Sequence, residues 1–182
     1  MPQSFDGLLV LDKPAGITSR DAVNRAQRWF PRSVRMGHGG TLDPLATGVL
    51  VLALGRATRL IEYVQRMPKE YEAEVQLGSV SDTDDADGIV TPSPGAEAPE
   101  ASRVREALAE FLGVQQQTPP AFSAAKVAGE RAHALARRGD EVTLAPRAVV
   151  IHAIDLLGYD YPRLGLRIRC GKGTYIRSVT RS

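Results

Sequence analysis

The feature that most constrains this chain is a strict alternation of apolar and polar side chains over residues 69–78, KEYEAEVQLG. The apolar positions are Tyr71, Ala73, Val75 and Leu77. Residues 164–170 alternate in the same way, with Arg167 and Arg169 on the polar side. Because successive side chains of a strand point to opposite faces, both stretches are predicted to be strands buried on one face only. We therefore expect a sheet with one apolar face and one basic face.

The other segments mix strand and helix patterns. Further strands are predicted at residues 7–13, 48–54, 89–90 and 148–157. Helices are predicted after the capping-box sequence 18–21 and at residues 56–65, 104–112, 130–138 and the C-terminal residues. Residues 91–102, rich in proline and alanine, are expected to form a surface connection. This mixture predicts an α+β fold with a mixed, mostly antiparallel sheet flanked by helices.

Composition narrows the class of protein. The chain has 182 residues, of which 43% are hydrophobic and 24% charged, which predicts one globular domain over residues 1–182. No apolar run approaches the roughly 20 residues of a membrane span, and the N-terminus does not resemble a signal peptide. We expect a cytoplasmic protein without a membrane role. The single cysteine excludes an internal disulfide, and the three histidines lack metal-ligand spacing, so no metal site is expected.

The net charge of +2 is only a weak argument for nucleic-acid binding, but the basic residues are clustered in the sequence. Five arginines fall within the first 35 residues, and a second cluster lies between Arg163 and Arg181. Such clusters either contact phosphates or are ordinary solvated arginines. Motifs for other ligands fail: the aspartates of residues 82–87 do not match an EF-hand, and GKGT at residues 171–174 does not match a P-loop.

Asp43 is the most informative single residue. It lies in GHGGTLDPLATGVLVLALG, residues 37–55, between a glycine-rich turn and an apolar run. A partly buried carboxylate needs a cation or hydrogen-bond donors to remain ionised. Held in that way, Asp43 is a candidate nucleophile or base, and the alternative is an aspartate that only caps the turn.

Three other residues have a structural and a functional interpretation. Tyr71 either packs in the core or offers a surface on which a base stacks. His38 is either a turn histidine or a ligand contact. Arg177 is either a surface cation or the partner of a catalytic carboxylate.

Several motifs in one order resemble a known family. They are LVLDKPAGITS, GHGGTLDPLATGVLVLALGRATRL, KEYEAEVQLGSVSDTDDADG, PPAFSAAKVAGERAHALARRG and CGKGTYIRS. Together they resemble the TruB family of bacterial tRNA pseudouridine-55 synthases from about Gly7 to Arg177. The resemblance implies a pseudouridine synthase-like catalytic core and an enzyme that converts a uridine in the T-loop of tRNA, at position 55, to pseudouridine without metal or organic cofactor.

The resemblance also implies residue roles. Asp43 matches the catalytic aspartate of the GTLDP motif, which attacks the flipped-out uridine at the sugar or at the ring. His38 matches the histidine that contacts the RNA, and Tyr71 the tyrosine that stacks beside the target base. Tyr175 and Arg177 match a substrate contact and the cation facing the catalytic carboxylate.

Family members continue beyond the point that matches Ser182, usually into a small RNA-binding domain, so the chain is expected to be a C-terminally truncated catalytic domain. Two alternatives to catalysis on tRNA stay open: a noncatalytic tRNA-binding or folding module, and a relative of the guide-RNA-dependent synthases. The leucine-alanine-threonine run in residues 45–47 is typical of the stand-alone bacterial enzymes. We therefore expect tRNA as the partner and no obligatory protein partner. A monomer is the simplest expectation for the oligomeric state.

Overall fold

A computed structural model describes residues 5–123, 125–127, 129–140 and 142–181. The chain divides into two units, Met1–Met67 and Pro68–Ser182, each with its own internal contacts. Of the helices in the described part of the chain, none has the length and apolar composition that a membrane span requires.

The first unit contains a three-stranded antiparallel sheet and two helices. Its elements are β1 (Gly7–Lys13), α1 (Ser19–Ala26), β2 (Met36–His38), β3 (Gly48–Leu54) and α2 (Ile61–Arg66). β3 is the central strand, between β1 and β2, as its apolar sequence predicts. Short 3-10 helices at Gln27–Trp29 and Gly55–Leu60 follow α1 and β3.

The core of the first unit lies between α1 and one face of this sheet. Leu50, Leu52 and Leu54 from β3 are buried against Ala22, Val23 and Ala26 from α1. Burial of each leucine contributes about 1.5–3 kcal/mol. The predicted capping box is confirmed: the backbone N–H of Asp21 donates to the Thr18 hydroxyl over 3.0 Å, and the Thr18 N–H donates to the Asp21 carboxylate. α1 is therefore fixed at its start and along its buried face.

The described residues of the second unit form a four-stranded antiparallel sheet, two short hairpins and three helices. In chain order its elements are β4 (Lys69–Gln76), β5 (Ser79–Ser81), β6 (Val90–Pro92), α3 (Ala101–Glu110), β7 (Gly113–Gln117), β8 (Lys126–Val127), β9 (Glu130–Arg131), α4 (Ala132–Arg137), β10 (Arg147–Asp160), β11 (Arg163–Cys170) and α5 (Ile176–Thr180). The strand order of the large sheet is β4-β11-β10-β7. This arrangement confirms the α+β fold and its mostly antiparallel sheet.

The buried face of the large sheet follows the predicted alternation. Leu164, Leu166, Ile168 and Cys170 of β11 are all buried, and α3 and α5 contribute Val104 and Val179 to the same cluster. The opposite face is not basic, and that expectation was wrong. Arg167 lies directly opposite Glu72 of β4, and its Nη2 is 2.6 Å from a Glu72 carboxylate oxygen. When the two strands pair, the Glu72 carboxylate therefore neutralises the charge of Arg167.

Two other expectations need correction. The predicted helix over residues 56–65 is a 3-10 helix followed by the short helix α2, and Leu60 is exposed rather than buried. β7 was not predicted, because its sequence GVQQQ carries no apolar alternation. It forms by pairing with β10, with Gln117 opposite Arg147.

Candidate active site

Asp43 lies in the turn that joins β2 to β3. Its side chain is half-buried, and its carbonyl oxygen accepts a hydrogen bond of 3.1 Å from the Ala46 N–H. Upstream, the Gly39 N–H donates to the Val51 carbonyl over 2.8 Å, and a Cβ at Gly39 would lie 2.7 Å from a methyl carbon of Val64. Only glycine fits this approach, so the turn is held close to β3 and α2.

A buried lysine holds the residue that follows Asp43. Lys13, the last residue of β1, is fully buried. Its Nζ donates to three carbonyl oxygens: Pro14 at 2.9 Å, Ile17 at 2.8 Å and Pro44 at 3.3 Å. Burial lowers the pKa of Lys13, and the negative charge of Asp43 opposes that shift. The positive charge of Lys13 is thus an electrostatic partner of Asp43 within the first unit.

Lys13 was not among the predicted site residues. Lysine is rarely buried, and a lysine at the end of a strand is usually solvated. The available signal was its position in LDKP, directly after an apolar strand and before a proline that stops it. The contact with Pro44 spans 31 positions along the chain, which no local periodicity reveals.

His38 is the last residue of β2 and is half-buried. Its Nδ1 donates to the carbonyl oxygen of Gly40, two residues along the chain. This contact fixes the ring within the turn that carries Asp43. The contact of His38 with RNA stays a prediction.

Tyr71 is in β4 of the second unit, paired with Ile168 of β11. Its side chain is half-buried and packs against the core cluster of that unit. The prediction that it points to the core side is confirmed. Its role as a stacking surface for a base is not decided by this packing.

The segment 171–177, GKGTYIR, is held by β7 and β10. The side-chain amide of Gln117 forms two hydrogen bonds with the backbone of Tyr175: its Nε2 donates to the carbonyl at 3.0 Å, and its Oε1 accepts from the N–H at 2.7 Å. The guanidinium carbon of Arg147 lies 4.7 Å from the centroid of the Tyr175 ring, a cation–π distance. An Arg147 Nη2 also donates to the Gly173 carbonyl. Tyr175 is therefore fixed through both its backbone and its ring.

Arg177 is near the start of α5 and belongs to a network within the second unit. Its Nη1 is 3.1 Å from an oxygen of Asp85, with the two side chains only 10% and 11% exposed. The same guanidinium donates to the carbonyls of Thr83 at 3.0 Å and Phe122 at 2.9 Å. Arg177 is thus a largely buried cation in an ion pair, and the interpretation as a solvated surface arginine was wrong.

Asp85 is a second residue that the sequence interpretation missed. Its Oδ1 accepts hydrogen bonds from the Thr83 hydroxyl at 2.6 Å and from the Asp87 N–H at 3.1 Å, while its Oδ2 pairs with Arg177. The acidic run of residues 82–87 does not match a calcium-binding loop. The sequence signal for Asp85 was the combination of an acidic run with an arginine in the KGTYIR segment, which is compatible with an ion pair between the two. Within the described residues, no three potential metal ligands lie together.

The fold and these residues can be compared with known proteins. A family model described as "TruB family pseudouridylate synthase (N terminal domain)" matches residues 28–176. A tRNA pseudouridine synthase B of Dehalococcoides mccartyi is 46% identical over 175 residues, covering 96% of this chain and 58% of the relative. The enzyme of the same name from Opitutus terrae is 41% identical over 177 residues, covering 97% of this chain and 73% of the relative.

Two solved structures resemble this chain in fold. The chain resembles one in a crystal structure of a Cbf5–Nop10–Gar1 complex with a TM-score of 0.67 and 28% identity, over 96% of this chain and 42% of that chain. A structure of an H/ACA RNP bound to a substrate RNA containing 2'-deoxyuridine matches with a TM-score of 0.65 and 27% identity, over 96% and 40%.

The fold is that of a pseudouridine synthase-like catalytic core. The chain belongs to the TruB family, on a family match that covers most of its length. It spans between about half and three quarters of the length of the curated relatives compared, from 51% of one to 73% of another.

Proposed function

We propose that this chain is the catalytic domain, over residues 1–182, of an enzyme that converts a T-loop uridine of tRNA to pseudouridine. The observation that carries the proposal is the Asp43 turn. In a TruB-family chain, the GTLDP aspartate is half-buried, beside a buried lysine, with the peptide groups on either side of it bonded to the segment 13–19. This arrangement suits a carboxylate that must stay ionised and keep a fixed direction.

In the proposed reaction, the uridine leaves the base stack and enters the site, at a cost of a few kcal/mol of unstacking. The Asp43 carboxylate attacks it at the sugar or at the ring, and the bond between N1 of the base and the sugar breaks. The detached base rotates and rejoins the sugar through a ring carbon, and the bond to Asp43 is released. That carbon loses its proton and N1 takes up a proton, so the product has the same atoms as the uridine. The reaction is an isomerisation, so no external reductant or oxidant enters.

Four other residues are proposed to contact the substrate: His38, Tyr71, Tyr175 and Arg177. Tyr71 and Tyr175 provide aromatic rings against which an unstacked base can pack. Arg177 provides a buried positive charge. We propose that the enzyme acts in the cytoplasm as a monomer, recognises the T-arm without a guide RNA or obligatory protein partner, and uses neither metal nor organic cofactor.

Guide-RNA-dependent synthesis is the second candidate, favoured by the likeness to a chain in the Cbf5–Nop10–Gar1 complex. That likeness amounts to 28% identity, against 46% for a relative named tRNA pseudouridine synthase B. The higher identity supports tRNA as the substrate. A chain that modified tRNA only after a guide RNA was added would support the second candidate instead.

The test uses an unmodified tRNA transcript, the wild-type chain, and the Asp43→Asn and Asp160→Asn variants. Asp160 is exposed at the end of β10 and undergoes the same change of charge, so it is a matched control. We expect pseudouridine with the wild type and with Asp160→Asn, and none with Asp43→Asn. Equal product from Asp43→Asn would remove Asp43 from the chemistry.

Binding is measured separately by fluorescence anisotropy with the same transcript. Because phosphate contacts release counterions, the affinity should fall as salt is raised, linearly on a log–log plot. A chain that binds tRNA with this salt dependence but forms no product would support a noncatalytic module. An affinity independent of salt would contradict RNA as the partner.

A further inference from the structure

The residues on either side of Asp43 are both attached to one segment of the first unit. On the C-terminal side, the Pro44 carbonyl accepts hydrogen bonds from the Gly16 N–H at 2.8 Å and from Lys13 Nζ at 3.3 Å. On the N-terminal side, the Leu42 side chain packs against the core of the unit, and its backbone is bonded to one hydroxyl group. The Ser19 Oγ accepts from the Leu42 N–H at 2.9 Å and donates to the Leu42 carbonyl at 3.1 Å.

A serine hydroxyl has one donor and two acceptor sites, so Ser19 can make both of these bonds at once. The two bonds join Ser19 to both polar backbone groups of Leu42, the residue directly before Asp43. Rotation of either peptide group of Leu42 would break at least one of them. The hydroxyl therefore restricts the backbone from which the Asp43 side chain projects.

Ser19 is itself held firmly. It is the first residue of α1 and is only 3% exposed. Ala22, Val23 and Ala26 bury the inner face of this helix in the core of the unit. The hydroxyl is thus a fixed point of the unit's core rather than a mobile surface group.

We infer that Ser19 is a positioning residue, whose hydroxyl fixes the Leu42 backbone so that the Asp43 carboxylate is held in its reactive direction. This inference rests on the proposed function of Asp43. A reacting group misplaced by about 1 Å can lose about a hundredfold in rate, so loss of the hydroxyl should act on the chemical step. The affinity for tRNA should not change, because Ser19 is buried.

The test compares Ser19→Ala with Thr18→Ala. Alanine favours helix and fits at position 19, so Ser19→Ala is expected to fold. Thr18→Ala is the matched control, since it weakens the same end of the same helix by removing the cap and leaves the Leu42 bonds in place. Each variant is measured for melting temperature, tRNA dissociation constant and single-turnover rate of pseudouridine formation at saturating protein.

We expect Ser19→Ala to lower the single-turnover rate about 10- to 100-fold with a dissociation constant within about twofold of the wild type. Thr18→Ala should keep a near-wild-type rate despite a lower melting temperature. A Ser19→Ala rate equal to the wild-type rate would overturn the inference. Equal rate losses in both variants would also overturn it, because they would indicate a general loss of stability.

Hydrogen exchange tests the same inference without activity. In Ser19→Ala, amide exchange in a peptide covering residues 42–46 should become faster than in the wild type and in Thr18→Ala. Unchanged exchange there would contradict the positioning role whether or not the chain is active. If the wild type forms no pseudouridine but exchange responds as expected, the proposed function fails and the restraint on the Asp43 turn stands.

Discussion

The ion pair between Arg177 and Asp85 gives the sharpest prediction on stability. Asp85→Asn keeps the shape of the side chain and an oxygen that can accept from Thr83 and Asp87. It removes the negative charge 3.1 Å from Arg177 and can place an NH2 group against the guanidinium. The variant therefore removes one carboxylate charge from beside a largely buried cation.

The magnitude follows from the geometry. Unit charges about 4 Å apart interact by about 4 kcal/mol at an effective dielectric constant of roughly 20. Removing one partner of a buried pair costs about 3–5 kcal/mol in general. Because Thr83 and Phe122 still accept from Arg177, we expect Asp85→Asn to lower the free energy of unfolding by about 3 kcal/mol, near the lower end of that range.

Asp84 provides a matched control one residue away. Its carboxylate is 2.9 Å from Arg181, also in the C-terminal region, but the Arg181 side chain is 43% exposed. Exposed pairs contribute at most about 1 kcal/mol. Asp84 also has a φ of 58°, which asparagine adopts readily, so Asp84→Asn should cost about 1 kcal/mol or less.

Urea unfolding measures both variants, with a double-mutant cycle that adds Arg177→Met. In the Arg177→Met background, Asp85→Asn should cost at most about 1 kcal/mol, since the buried charge is gone. Equal destabilisation by Asp85→Asn and Asp84→Asn would refute the reasoning. An Asp85→Asn effect of the same size in both backgrounds would also refute it.

Further predictions concern three other groups. Lys13→Met should lower the free energy of unfolding by about 2–4 kcal/mol in urea melts, because charge-assisted hydrogen bonds to three carbonyls are lost. Burial lowers the pKa of Lys13, so the unfolded chain holds this proton to a higher pH than the folded chain does. The free energy of unfolding of the wild type, relative to that of Lys13→Met, should therefore rise as the pH rises towards 10.5. A decrease in this free-energy difference over that range would contradict the prediction. Hydrogen bonds from Thr18 lower the pKa of Asp21. The extra stability of the wild type over Asp21→Asn should therefore be complete above about pH 3.8 and be lost as the pH falls through the lowered pKa. Extra stability that increases in acid would be inconsistent with the capping box. Burial raises the pKa of the Cys170 thiol, so a maleimide should label the native chain much more slowly than the urea-unfolded chain, and equal rates would contradict its place in the core.

Much of the fold follows from local sequence patterns. β3 and β11 carry apolar patterns that predict both their type and their buried side chains, and the Thr18 capping box predicts the start of α1. β7 escaped prediction because glutamine has no strong strand preference, and pairing with β10 decides its conformation. The charge of the face opposite the buried face of the large sheet was not predicted correctly for a similar reason. Glu72 lies opposite Arg167 only because β4 pairs with β11.

The candidate site also combines residues that the local sequence identifies with residues that only long-range packing brings to it. Asp43 stands out in the sequence because a charge beside an apolar run is costly unless it is compensated. The groups that surround it do not stand out. Lys13 and Ser19 reach the 42–44 turn over 31 and 23 positions along the chain, and Asp85 reaches Arg177 across the second unit. Such contacts depend on how strands and helices pack, which periodicity alone does not determine.

The most direct test of the account is position-specific mapping of pseudouridine in an unmodified tRNA transcript treated with the wild-type chain or with Asp43→Asn. We expect one new pseudouridine, in the T-loop, after wild-type treatment and none after Asp43→Asn treatment. Pseudouridine formed equally by both proteins would contradict the role of Asp43. Pseudouridine formed elsewhere in the tRNA would contradict the proposed substrate site.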